Sequence, residues 1–347
     1  MAPLDGAEPA AAAATQASEP TGPAVTAGDR ARSSATADRE KESEASWAEA
    51  REEGWQENWA EDGPLADLPR GAAIGDALHR ILEQLEDTDA CLEAEDGLLT
   101  DANRALAEDL LRQAGIAEPP VEAVLRGLAR TLATPCGGDL GGVRLGGLPR
   151  ERRLHELNFD LSLGHARASA LAAAFRDHPG GPFAADYSDR LERLPIDSRG
   201  FLTGSIDLVF TAADAAGQER WWVADWKSNW LGRRDASGRP LACGPRHYDS
   251  AAMGALMEEK HYPLQAHLYL VALHRYLRWR LPDYQPDRHL GGYVYVFLRG
   301  TPGAAGTRAL PGAVPGMLVD RPPHQRLLAL DAALGLALEP GSGEAEP

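Results

Sequence analysis

The sequence predicts a mixed α/β domain in which helices, three strands, a long helix and a further strand close round a small central sheet. Three observations lead to that class. Apolar residues recur at helical spacing from Ile74 to Leu85 and switch to alternation after Gly147. The helical period then returns in YPLQAHLYLVALHRYLRWR, ahead of a last apolar run.

Residues 1–64 read as a disordered acidic linker, because Ala, Pro, Thr, Ser, Glu and Gly cannot offset the entropy of ordering the chain. Within it, the stretch around Trp47, Trp55 and Trp59 is expected to be a short helix or a docking peptide. Order is expected over 65–335, with 336–347 a disordered tail. The first helix is entered through Pro69 and Gly71, and Ile74, Leu78, Ile81, Leu82 and Leu85 form its apolar stripe. His79 and Glu83 share an adjoining face. LTDANRALAEDLLRQAG and VEAVLRGLARTLATP continue the helical pattern, so the N-terminal part is mostly helical.

RLHELNFDLSL alternates Leu154, Glu156 and Asn158 with His155, Leu157 and Phe159, as a strand does. FLTGSIDLVF and RWWVADWKSNW flank the polar loop TAADAAGQE, a hairpin pattern. Alternation places Ser205, Asp207 and Val209 opposite Ile206, Leu208 and Phe210, and Trp221, Val223, Asp225 and Lys227 opposite Trp222, Ala224 and Trp226. An irregular stretch follows. Leu264, Leu268 and Val271 then mark the long helix, and HLGGYVYVFLRG is the further strand.

Composition limits the function classes. The net charge of -17 opposes a polyanionic partner unless binding rests on a local arginine patch, a divalent metal or a partner subunit. No apolar run is long enough for a membrane span and the N-terminal residues lack a basic-then-apolar signal pattern, so a soluble, unsecreted protein with no membrane partner is expected. Cys91, Cys136 and Cys243 form neither a disulfide framework nor a zinc ribbon, which suits a reducing cytoplasm. Only Lys41, Lys227 and Lys260 are lysines, so a lysine in an apolar strand invites a chemical explanation. No G-x-x-x-x-G-K-[ST] occurs, so this chain carries no P-loop.

If the hairpin register brings the faces together, Asp207, Asp225 and Lys227 converge, and two close carboxylates call for a hard cation such as Mg²⁺. Each residue taken singly has an ordinary explanation. D-x-K is a strand-end ion pair, Asp207 an edge residue, His79 a surface histidine, Glu156 an outward strand position, and Gln265 and Tyr269 the polar edge of a helix. Jointly, Gly75 and His79 in GDALH, Glu156 and Phe159 in ELNF, Gly204 and Asp207 in GSID, Asp225 and Lys227 in DWKSNWLG, and Tyr262, Gln265 and Tyr269 in YPLQAHLY carry more. In that order they resemble the PD-(D/E)XK nuclease superfamily, and specifically the C-terminal nuclease domain of RecB, the beta subunit of exodeoxyribonuclease V.

The resemblance implies a restriction-endonuclease-like sheet and a Mg²⁺-dependent exodeoxyribonuclease acting in double-strand-break repair, recombination and degradation of linear DNA. It implies His79, Asp207, Asp225 and the backbone carbonyl of Trp226 as metal ligands, with Lys227 holding the attacking water or offsetting charge. Glu156 would act from the outer shell or at a second metal, and Tyr262, Gln265 and Tyr269 would position DNA or the lysine. RecC-like and RecD-like subunits and a RecA-type recombinase are the implied partners. The helicase part that precedes this domain in RecB is missing from this chain, which therefore reads as a detached part or as a nuclease served by a separate motor. A partner-binding module that loads the recombinase, and a stand-alone endonuclease, are the rival readings.

Overall fold

The computed structural model describes residues 63–304 and 314–335. The acidic linker as far as residue 62, its tryptophan segment and the 336–347 tail lie outside the described residues. Three helices come first: α1 (Ala72–Gln84), α2 (Asp101–Gln113) and α3 (Val121–Ala133). The expected stripe of α1 is buried, and Leu78 and Ile81 are fully so. Such burial is worth about 1.5–3 kcal/mol per side chain relative to exposure. Thr100 starts α2, its hydroxyl accepting from the Asn103 amide.

The sheet has five strands in sequence order: β1 (Arg153–Arg167), β2 (Asp197–Ala213), β3 (Glu219–Lys227), β4 (Leu290–Phe297) and β5 (Met317–Asp320). β3 and β4 pair in parallel and the other neighbours are antiparallel. Parallel neighbours need a crossover. Here it runs through α6 (Ser250–Glu259), α7 (Tyr262–Arg280) and the short α8 (Pro286–His289). The remaining helices are α4 (Ala168–Asp177), α5 (Tyr187–Glu192) and α9 (His324–Leu334).

Two hydrophobic cores lie on the two faces of the sheet. Helices α1 to α3 pack on Leu208, Phe210, Trp222, Ala224, Trp226, Val294 and Val296. Helices α4 to α7 and α9 pack on Ile206, Val209, Val223, Tyr293, Tyr295 and Phe297. The faces expected for β3 are the observed ones. Two expectations are corrected. Ile206 shares a core with Val209 rather than with Leu208 and Phe210, and Leu157 and His155 face opposite ways, because each pairs with a residue in a different core. Alternation breaks in both strands at one level, Glu156 and Asp207, where the ladder skips from His155↔Leu208 to Leu157↔Ile206. The stretch expected to be irregular between the hairpin and the long helix contains α6, which Asp249 caps by accepting from the Ala252 amide.

Candidate active site

The break in alternation is where the site forms. Glu156 has φ +51°, a left-handed backbone that costs a side-chain-bearing residue about 1–2 kcal/mol. Its carboxylate accepts from the Ser205 hydroxyl at 2.7 Å. On the other side of β2, the ladder to β3 ends at Leu208↔Ala224. Beyond that point β2 keeps β1 as its partner and β3 keeps β4, so the sheet forks. The Trp226 amide, which has no β2 carbonyl to bond, donates to Asp207 Oδ2 at 2.8 Å. A side chain thus stands in for a strand at the crotch of the fork.

His79 reaches the same carboxylate from α1, with Nδ1 3.5 Å from Asp207 Oδ2. Gly75, one turn earlier, permits this approach: a Cβ there would stand 2.9 Å from Ser228 Oγ, just past the end of β3. Burial works against the His79 imidazolium, but the hydrogen bond and charge of Asp207 and the charge of Asp225 outweigh it, so its pKa lies above the ordinary value.

Asp225 is buried, and burial, with the charge of Asp207 adding to it, pushes its carboxyl up to about 6 against the downward pull of Lys227 and His79. Lys227 Nζ lies 2.5 Å from Asp225 Oδ2 and donates to Gln265 Oε1 at 3.1 Å. The ammonium also sits over the rings of Tyr262 and Tyr295, 4.1 and 5.0 Å from their centroids. Gln265 donates in turn to the Tyr269 hydroxyl at 2.9 Å. Tyr269 meets Phe159 edge-on, and the Phe159 ring covers Gly204, where a Cβ would come within 2.6 Å of it. The two spacer residues of the motifs, Phe159 and Gly204, are therefore one packing unit under the α7 face.

The structure brings His79, Asp207, Asp225, Lys227, the Trp226 backbone, Tyr262 and Gln265 together. Tyr269 stands one step behind, through Gln265. Glu156 is held by Ser205 and pairs with neither His79 nor Lys227. Among the described residues no three His, Cys, Asp or Glu side chains are gathered round one point at metal-ligating spacing; His79 pairs with Asp207 and Asp225 with Lys227. The donor chemistry nevertheless fits a divalent cation, since Asp207 adds to the cost of charge on the buried Asp225 and a cation between the two carboxylates would offset it.

Sequence reasoning missed three residues. Tyr295, opposite Asp225 in the parallel ladder, has its hydroxyl 2.9 Å from Gln265 Oε1 and 3.1 Å from the Tyr262 carbonyl. Asn229 accepts from the Tyr262 hydroxyl at 3.3 Å. Buried Arg299 donates to the carbonyls of Leu65, Leu68, Pro69 and Ser228, tying the approach to α1 to the exit of β3. The available signal was the apolar strand GGYVYVF, with an arginine two residues past its end.

No family model matches the chain. Three curated proteins named RecBCD enzyme subunit RecB are similar to it. That of Mycolicibacterium smegmatis is 34% identical over 287 residues, covering 78% of this chain and 24% of that protein. One from Mycobacterium tuberculosis is 34% identical over 290 residues, with the same coverage. The Escherichia coli protein is 34% identical over 234 residues, 67% of this chain and 17% of that protein. The chain spans about a quarter of the length of the first two relatives.

Proposed function

The chain belongs with the RecB proteins over the part of their length that it spans, and from that premise we propose that it is a Mg²⁺-dependent deoxyribonuclease domain hydrolysing DNA phosphodiesters. The observation that carries the reading is the meeting of His79, Asp207, Asp225 and Lys227 at the fork between β2 and β3. A binding module has no chemical need for two mutually repelling acids beside a caged lysine.

His79, Asp207, Asp225 and the Trp226 carbonyl would hold the metal, which when bound supplies Lewis acidity at the scissile phosphate. Lys227, aimed by Asp225 and Gln265, orients the attacking water and offsets negative charge as it accumulates on the phosphoryl oxygens. The Tyr262 and Tyr295 rings keep the ammonium in place along the strand face. Tyr269 fixes the Gln265 amide so that its oxygen, not its nitrogen, meets the lysine. Glu156 contributes negative potential from behind.

In this reading the domain acts as an exonuclease on strands delivered by a motor with RecC-like and RecD-like subunits, in the cytoplasm, with a RecA-type recombinase as a further partner. Among the described residues no helix is long and apolar enough to cross a membrane. The test is cleavage of linear DNA with Mg²⁺ by wild type and Asp225→Asn. Loss of cleavage with unfolding unchanged supports the assignment, and a wild-type rate in the variant overturns it. Circular single-stranded DNA left intact marks an exonuclease; its cleavage would mark an endonuclease.

A further inference from the structure

Beside the fork is a second constellation that the proposed chemistry does not use. Trp230 lies three residues beyond Lys227, within about 10 Å along the chain. Arg70 and Arg234 both lay their guanidinium groups on its ring, 4.7 and 5.6 Å from the centroid. Both arginines are exposed, and among the described residues neither is held by a carboxylate, whereas Arg104, Arg130, Arg152, Arg176 and Arg275 are.

The three residues sit on braced backbone. Arg299 anchors the segment before Arg70 and the Ser228 carbonyl from within the core. The Tyr248 hydroxyl donates to the Asn229 carbonyl and accepts from the Leu231 amide. Arg234 is held by its bond to the Gly238 carbonyl, in a turn closed round Asp235. Gly232 leaves room for the Trp230 ring, since a Cβ there would stand 2.7 Å from it.

We infer that Arg70, Trp230 and Arg234 form a phosphate clamp for the DNA strand beside the site, a proposal that rests on the nuclease reading. A guanidinium stacked on an aromatic ring loses little further freedom when its edge donors bind an anion, and its fork matches phosphate oxygens. Two unpaired cations on a chain of net charge -17 supply the local attraction that the bulk charge denies. With two guanidinium groups as its donors, the clamp reads backbone and not sequence.

The test is binding of a fluorescent oligothymidylate to the chain in EDTA, across a salt series, with Mg²⁺-dependent cleavage measured in parallel. For Arg70→Ala/Arg234→Ala, the slope of log K against log salt should become shallower by about 1.4, two phosphate contacts at roughly 0.7 each, with affinity about tenfold lower at low salt. Arg70→Lys/Arg234→Lys should keep most of the slope. A double-alanine variant with unchanged slope and affinity overturns the clamp, even if the wild type cleaves. A wild type that binds through these arginines but never cleaves supports the clamp and overturns the nuclease reading. A wild type that does neither overturns both.

Discussion

The β2–β3 hairpin carries an acid–base pair with a buried acid at each end, and the two are opposites. At the turn, Asp214 binds Arg220 and also accepts from the amides of Ala216 and Gln218. Arg220 spends its other donors on the carbonyls of Asp287 and Arg288 and on Gln218. Every group is satisfied, and the Arg220 hydrogen bond together with the backbone amides holds the Asp214 carboxyl below its ordinary value. At the fork, Asp225 has Lys227, but burial and Asp207 push its carboxyl up to about 6. One pair closes a turn; the other holds a carboxylate whose charge burial and Asp207 make costly. The same residue chemistry is structural when saturated and reactive when left short.

Exchanging the two acids for amides breaks this comparison most directly. Asp225→Asn should lower cleavage by about a thousandfold or more while leaving the unfolding temperature unchanged or raised, because a costly charge is removed. Asp214→Asn should do the reverse, losing about 3 kcal/mol of stability in a urea titration with the rate per folded molecule retained. Equal stability losses would mean the two pairs do the same job. Next in size, Lys227→Met should cut turnover by about 100-fold or more with Mg²⁺ affinity retained, measured by single-turnover kinetics and metal titration. Loss of metal affinity would give the lysine a different role.

The hairpin and the helices α1 and α7 were legible because a strong period runs unbroken through each, and the α7 bounds agree with the apolar pattern to its ends. The Asp225/Lys227 face was legible for the same reason. What alternation could not show is its own interruption: Glu156 and Asp207 flip both strands, and no local residue signal announces a left-handed glutamate. Tyr295 was hidden because its place opposite Asp225 depends on a parallel register set by a crossover of some sixty residues. β5 is only four residues long, too short for a period, and α9 follows it unannounced.

Smaller effects sharpen the contrast between saturated and unsaturated positions. Gly204→Ala would ordinarily stabilise a strand, yet here the new methyl meets the Phe159 ring that supports Tyr269. It should cost about 1–3 kcal/mol and also reduce turnover, since the shift passes through Tyr269 to Gln265. A stability loss without a kinetic effect would uncouple that packing unit from the lysine.

The histidines repeat the contrast on a finer scale. His79 shares its site with two carboxylates, whereas His267 is buried with Nδ1 2.6 Å from the Pro263 carbonyl and Nε2 3.3 Å from an Arg326 nitrogen, so both ring nitrogens are used by a neutral ring. Burial first, then the Arg326 charge, lowers its pKa to about 3 from 6.5. In this window the unfolded chain binds a proton that the folded chain refuses, so His267 contributes a stability loss that begins as pH falls through 6.5 and grows towards 3. His267→Gln should therefore be compared with wild type by urea midpoints from about pH 7 to about pH 5, where one proton changes the slope by about 1.4 kcal/mol per pH unit. The wild type should lose the more stability on acidification. Parallel curves would show that His267 titrates in the fold, and that the core around Arg326 is not saturated in the way the Asp214 turn is.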